Sequence, residues 1–121
     1  MPVLALVEDL LFQQKIRETA EALGVAVTFG ADVTAAGSPC SGQPWDLVIV
    51  DLSLTRRDPI ALIAALRQQL PHAPLIGFGS HVDAVQMTRA REAGCTEVLA
   101  RSAFVQRLAD LLARVIPRQT C

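Results

Sequence analysis

The sequence predicts a three-layer α/β/α sandwich in which helices cover both faces of a five-stranded, all-parallel sheet. Three observations carry this. Short apolar runs alternate with longer runs of helical period along the chain, the pattern that parallel strands with crossover helices produce. The short runs are apolar without alternation, as strands buried on both faces are. Four of the five end in acidic, basic or small hydroxyl residues, at the edge where such sheets bind ligands.

Each element has its own signal. VLALV (Val3 to Val7) reads as the first strand. Over Leu10 to Leu23, the apolar residues Phe12, Ile16, Ala20 and Leu23 fall on one helix face, and Gly24 follows as the C-cap. VAVTF (Val25 to Phe29) is the second strand. GADVTAAGSPCSGQP (Gly30 to Pro44) is small, polar and broken by Pro39 and Pro44, so only a short or irregular second helix is expected, near Asp32 to Ala36. DLVIVD (Asp46 to Asp51) is the third strand, with Trp45 packing at its start. Asp58 and Pro59 suit the N-cap and N1 of a helix whose apolar face is Ile60, Ile63, Leu66 and Leu70. PLIGF (Pro74 to Phe78) is the fourth strand, Val82 to Ala93 a helix capped by Gly94, and EVLA (Glu97 to Ala100) the fifth strand. Phe104, Leu108, Leu112 and Val115 mark a last helix, stopped by Pro117.

Composition bounds the function. A chain of 121 residues is one domain's worth, and at this size about two-thirds of the unfolded surface is buried. Mean hydropathy is +0.36, yet no apolar run nears the roughly 18 residues needed to span a bilayer. MPVLALVEDLL meets two acids by position 9, so no signal peptide is expected and the protein is read as cytoplasmic. With net charge −1 and no basic stripe, neither nucleic acid nor membrane is an expected partner. Ten of eleven cations are arginine, the exception being Lys15. Cys40, Cys95 and Cys121 lack metal-ligand spacing and read as ordinary thiols.

The strand ends carry the chemistry. The first delivers Glu8 and Asp9, the third Asp51, the fourth Gly79 and Ser80, the fifth Arg101 and Ser102. A doubly wound order of 2-1-3-4-5 sets strands one and three side by side, so three carboxylates crowd one pocket and repel. A divalent metal answers this, and Mg²⁺ suits few carboxylates with waters and phosphate oxygens. Asp51 is then free to act as a nucleophile toward a phosphoryl group. Each acid has an ordinary alternative. Asp51 could cap a loop, and Glu8 and Asp9 could simply start a helix. Their convergence on adjacent strands favours a site.

On VEDLLFQQKIRETAEALG, WDLVIVDLSLTRRDP, PLIGFGS and EAGCTEVLARS, the chain resembles the receiver domain of bacterial two-component response regulators, the CheY-like branch of the flavodoxin-like folds. The resemblance covers about Val3 to Val115. It implies a single domain over 1–121, with a core at about 3–116 and a tail at 117–121. It implies Mg²⁺ held by Glu8, Asp9, Asp51 and the backbone carbonyl of Ser53, with Asp51 as phosphoacceptor. Other family features are replaced. Gly79 stands where the fourth strand carries a hydroxyl, leaving Ser80 as the candidate substitute. Arg101 replaces the family's lysine and could pair permanently with Asp51, because its planar guanidinium binds carboxylates bidentately. Ser102 replaces the proline with a cis bond, and Val98 the switch aromatic. Leu54-Thr55 and Asp58-Pro59 replace Met-Pro and Asp-Gly, so the loop should be stiffer.

The leading expectation is therefore an atypical receiver, or pseudo-receiver, acting mainly as a protein-interaction module in a phosphorelay. Its partner would be a histidine kinase or another signalling protein. A homodimer would use the face of the fourth helix, fifth strand and fifth helix, which carries Arg89, Arg91, Glu97, Arg107 and Arg114. One alternative is an active single-domain regulator phosphorylated on Asp51. Another is a small phosphatase, since DLSLT half-matches the haloacid-dehalogenase motif, with Ser53 in place of its general acid. A nucleotide or flavin module is disfavoured, because two acids stand where a glycine-rich phosphate loop would be. His72, His81, Arg56 and Arg57 read as solvated loop or helix-start residues, the arginine pair doubling as a docking point for an acidic partner.

Overall fold

The computed structural model describes residues 2–30, 45–55, 58–71, 73–80 and 82–114. In chain order the elements are β1 (Pro2–Leu6), α1 (Leu10–Leu23), β2 (Ala26–Phe29), β3 (Leu47–Asp51), α2 (Pro59–Gln69), β4 (Leu75–Gly79), α3 (Ala84–Ala93), β5 (Glu97–Ala100) and α4 (Arg101–Ala113). The expected short helix near Asp32 to Ala36 lies outside the described residues, as do Cys40, Arg56, Arg57, His72, His81, Val115, Pro117 and the rest of the tail. The expected fourth and fifth helices are therefore α3 and α4.

The sheet is five-stranded in the order β2-β1-β3-β4-β5, with every pairing parallel, as predicted. Leu6 sits opposite Val50, Asp51 opposite Phe78, and Gly79 opposite Ala100. The first, third, fourth and fifth strands thus end along one edge.

Strand pleating sorts side chains onto two faces. Val3, Ala5 and Ile49 pack with Ile76 and Phe78 against Ile16 and Ala20 of α1 and Phe104, Leu108, Leu111 and Leu112 of α4. Leu4, Leu6, Val48, Val50 and Leu75 pack against Leu62, Ile63 and Leu66 of α2 and Ala90 of α3, and Trp45 packs onto this second cluster. Burying such side chains contributes about 1.5–3 kcal/mol each, so β3, buried at every position, is a rigid support for Asp51. Phe78 stacks on Phe104 with ring centroids 4.2 Å apart, and Phe12 tilts onto Phe78 at 5.0 Å.

Helix boundaries follow local chemistry. Asp9 caps α1, and Gly24 ends it at φ 74°, a left-handed conformation that glycine adopts without a Cβ penalty. Asp58 caps α2 with Pro59 in its first turn, as expected. The buried stripe of α2 is Pro59, Leu62, Ile63 and Leu66, while Ile60 and Leu70 are only half-buried. The helix is apolar nearly all round, and packing chose the stripe where periodicity alone pointed one position away. α3 begins at Ala84, not Val82, because Asp83 accepts from the Gln86 amide as N-cap and its own amide closes a turn onto the Ser80 carbonyl at 3.0 Å.

Candidate functional site

Asp51 is the last residue of β3 and only 2% exposed. One of its oxygens, Oδ1, accepts the Ser53 amide at 2.8 Å and the Ser53 hydroxyl at 2.6 Å. Hydrogen bonds to an ionised acceptor are short and about twice as strong as neutral ones, so this carboxylate is held by its own loop. The Leu52 amide donates to the Phe78 carbonyl at 2.9 Å, and the Gln86 side-chain amide donates to the Leu52 carbonyl at 2.7 Å. The loop after β3 is thereby tied to β4 and to α3.

Glu8 and Asp9 follow β1 but do different work. Glu8 reaches the loop after β3, where its Oε1 accepts the Thr55 amide at 3.1 Å and the Thr55 hydroxyl at 2.9 Å. Asp9 is exposed and turns back on α1, its Oδ1 accepting from the Leu11 amide at 2.8 Å and from the Phe12 amide at 3.4 Å. The ordinary helix-start role weighed for Asp9 is the one its side chain adopts. Gln13 braces the turn by donating to the Val7 carbonyl at 2.6 Å.

Three carboxylates on neighbouring strand ends are the right donor chemistry for a hard divalent cation. Their side chains do not fit one as arranged: among the described residues no three His, Cys, Asp or Glu side chains gather closely enough to hold a metal ion. Oxygens of all three acids are instead committed to the chain's own donors.

Of the other expected site residues, Ser80 is half-buried and its hydroxyl oxygen accepts the Val82 amide at 3.3 Å, in the turn that leads to α3. Arg101 is the first residue of α4, and among the described residues no ion pair joins it to Asp51. Asp51 instead takes its hydrogen bonds from Ser53, two residues away and already in reach.

Gly79 is more than a missing hydroxyl. A Cβ built there would lie 3.1 Å from Leu52 Cβ and 3.3 Å from Leu52 Cδ1. At Gly77 it would lie 3.2 Å from Cys95 Sγ and 3.5 Å from Leu52 Cδ2. The fully buried Leu52 fills side-chain space above both glycines. Sequence reasoning missed Leu52, Thr55 and Gln86 as site residues. The available signals were the two glycines in LIGFG and the two hydroxyls in DLSLT, which follow the acid by two and four positions.

On the α3–β5–α4 face, Glu97 pairs with Arg107 at 3.6 Å and Arg114 at 3.4 Å. Arg89 and Arg91 are exposed. No helix among the described residues is long and apolar enough to cross a membrane.

Residues 3–113 match the family model of the response regulator receiver domain. No curated protein matches by sequence. The fold is similar to the receiver domain of NtrX from Brucella abortus, with TM-score 0.75, 18% identity, and coverage of 93% of this chain and 95% of that one. It is similar to the chemotaxis protein CheY4 of Vibrio cholerae, with TM-score 0.76, 20% identity, and coverage of 95% and 98%. A response regulator from Burkholderia pseudomallei, solved with a phosphorylated aspartic acid, calcium ion and citrate, superposes with TM-score 0.74 at 20% identity, covering 93% of this chain and 71% of that one.

Proposed function

The chain belongs to the response regulator receiver domain family, and we propose that within it the protein works as a pseudo-receiver: mainly a protein-interaction module, with Asp51 as a phosphoacceptor whose modification moves little. One observation carries this reading. A receiver's response draws on a hydroxyl at the end of its fourth strand, and here that position is Gly79, with Leu52 packed into the space a side chain would need. Arg101 and the small, buried Val98, which replace the lysine and the aromatic of the family, support the same reading.

Receiver domains are signalling modules that interact with kinases and other signalling proteins. For this chain the partner surface is assigned to the α3–β5–α4 face, through a second copy or a protein partner. Two of the four arginines there are partly neutralised by Glu97, and Arg89 and Arg91 are exposed cations outside those pairs. The competing reading, an active regulator that takes Mg²⁺ with Glu8, Asp9, Asp51 and the Ser53 carbonyl, draws support from Asp51 standing at the end of the rigid central strand. In either reading a phosphoryl transfer would form a bond from an Asp51 oxygen to phosphorus as the donor's leaving group departs.

The test is incubation with a small acyl-phosphate donor, with and without Mg²⁺, followed by intact mass and amide NMR spectra of wild type and Asp51→Asn. The pseudo-receiver predicts that any mass gain disappears in Asp51→Asn and that the amides of α3, β5 and α4 stay in place in the modified protein. Wide shifts across those elements on modification would overturn it and install the active reading.

A further inference from the structure

Leu11, Lys15, Glu18 and Ala22 follow one another along α1 at steps of four, three and four, so they share one helix face. All four are exposed, and Leu11, at 79%, is the most exposed large apolar side chain among the described residues. A single exposed leucine is ordinary, but this one borders a groove of about 290 Å³ between α1 and α4, lined by Leu11, Phe12, Lys15 and Val105. Glu18 is steadied by Gln14, whose side-chain amide donates to it at 2.9 Å. The stripe has a symmetry of its own. Read backwards, its spacing is again four, three and four, while its ends trade large for small and its centre trades plus for minus. Two such stripes laid antiparallel, with a two-fold axis between Lys15 and Glu18, set each Lys15 against the other copy's Glu18 and each Leu11 against the other copy's Ala22. A parallel pairing sets Lys15 against Lys15 and Glu18 against Glu18, and like charges opposed in this way cost affinity.

We propose that this face of α1 is a docking surface for a second copy of the chain, in an antiparallel pair with two-fold symmetry. A closed two-fold interface uses the same patch on both subunits and must be self-complementary, and this stripe is so in both size and charge. Leucine against alanine lets the two helices approach and interdigitate. From Leu11 to Ala22 the stripe runs about 16 Å, so the interface is small and the pair is weak and reversible. The apolar contacts supply the attraction. The two exposed ion pairs, each weak alone, fix direction and register. α1 packs on the first core cluster and α3 on the second, across the sheet, so the pair leaves Arg89 and Arg91 uncovered. The second copy is thus assigned to α1, and the α3–β5–α4 face is left to a different protein. The inference does not depend on whether Asp51 is phosphorylated or on what that modification moves.

The experiment is analytical ultracentrifugation of the full chain at low ionic strength, over concentrations from about 1 µM to about 1 mM, the range in which a weak pair forms. The proteins are wild type, Leu11→Asp, Lys15→Glu, Glu18→Lys, the double reversal Lys15→Glu/Glu18→Lys, and Arg89→Glu/Arg91→Glu. Every altered position is exposed, so the fold should tolerate each change. Wild type should pass from monomer to dimer over that range, and Leu11→Asp should stay monomeric. Each single reversal sets two like-charge pairs across the axis and should weaken the dimer by about tenfold. The double reversal restores opposite charges and should return to within about threefold of wild type. Arg89→Glu/Arg91→Glu should dimerise as wild type does. The proposal is overturned if wild type stays monomeric throughout, if Leu11→Asp or either single reversal dimerises as wild type does, or if the double reversal is no better than the single ones. It is also overturned if reversing Arg89 and Arg91 abolishes the dimer, which would move the second copy to the α3–β5–α4 face.

Discussion

The two ends of the sheet handle charge in opposite ways. At the carboxyl end, the acids are held by short bonds from exposed residues, Ser53 on Asp51 and, across 47 positions, Thr55 on Glu8. At the amino end, a single guanidinium is the hub. Arg67, on the last turn of α2, donates to the carbonyls of Leu70, Pro71, Ala73 and Gly94 and reaches the Thr96 hydroxyl at 3.4 Å. It joins the end of α2, the approach to β4 and the turn before β5. A cation at helix C-termini also meets the favourable end of the helix dipole. Water or an ion can replace an exposed hydroxyl on a carboxylate, but nothing small replaces a fork that spans three segments. One end is built for exchange, the other for permanence.

Replacing the hub should break the comparison most visibly. Arg67→Ala leaves several carbonyls without a partner, and each such group costs about 1–3 kcal/mol. A loss of about 3–4 kcal/mol is expected by urea unfolding. Arg67→Lys should recover less than half, because a point charge cannot copy the fork. Thr55→Val, by contrast, should cost under about 1 kcal/mol, since its bonds are exposed. Similar losses at Arg67 and Thr55 would show that the ends do not differ in kind.

The wall between pocket and core gives the next largest effect. Leu52→Ala should cost about 3 kcal/mol as a cavity. Gly79→Ser, which restores a hydroxyl, should cost about 1–2 kcal/mol by crowding Leu52. If Leu52 is what excludes a side chain at 79, the double variant should be more stable than the two losses added together, by at least about 1 kcal/mol. Additive losses would mean that Gly79 is constrained by something other than Leu52.

What the sequence revealed divides along the same line. Sheet order, helix caps and the places of Glu8, Asp9 and Asp51 were legible, because apolar runs, cap residues and strand-end acids are local signals. What each acid bonds to was not. Asp9 capping α1 competes with Asp9 facing the pocket, and only the built helix decides between them. Glu8 meeting Thr55 and Leu52 covering Gly77 and Gly79 are non-local contacts with no periodicity to betray them. Arg67 passed unremarked in the sequence because an arginine near a helix end looks solvated until the turns it serves are folded around it.

Cys95 sharpens the comparison at the permanent end. Its thiol is buried, beside the space above Gly77. Burial pushes its pKa up to about 11 from 9.0, with Arg67 and Arg91 pulling the other way. Below pH 9 both folded and unfolded chains hold the proton, and the contribution to stability is constant. Between about 9 and 11 the unfolded chain releases its proton first, so stability falls as pH rises through that window. The total loss is about 3 kcal/mol on the usual conversion of a pKa shift. The chain has no tyrosine, which removes one class of side chain that would lose protons in the same range. Urea unfolding across the window should show the decline in wild type and a flatter profile in Cys95→Ala. Arg67→Lys should leave the decline in place, because a cation remains near the thiol, whereas Arg67→Ala should extend it to higher pH. An equal decline in wild type and Cys95→Ala would place the alkaline weakness elsewhere, in the loss of charge from other groups, and leave Arg67 alone to account for the firmness of this end.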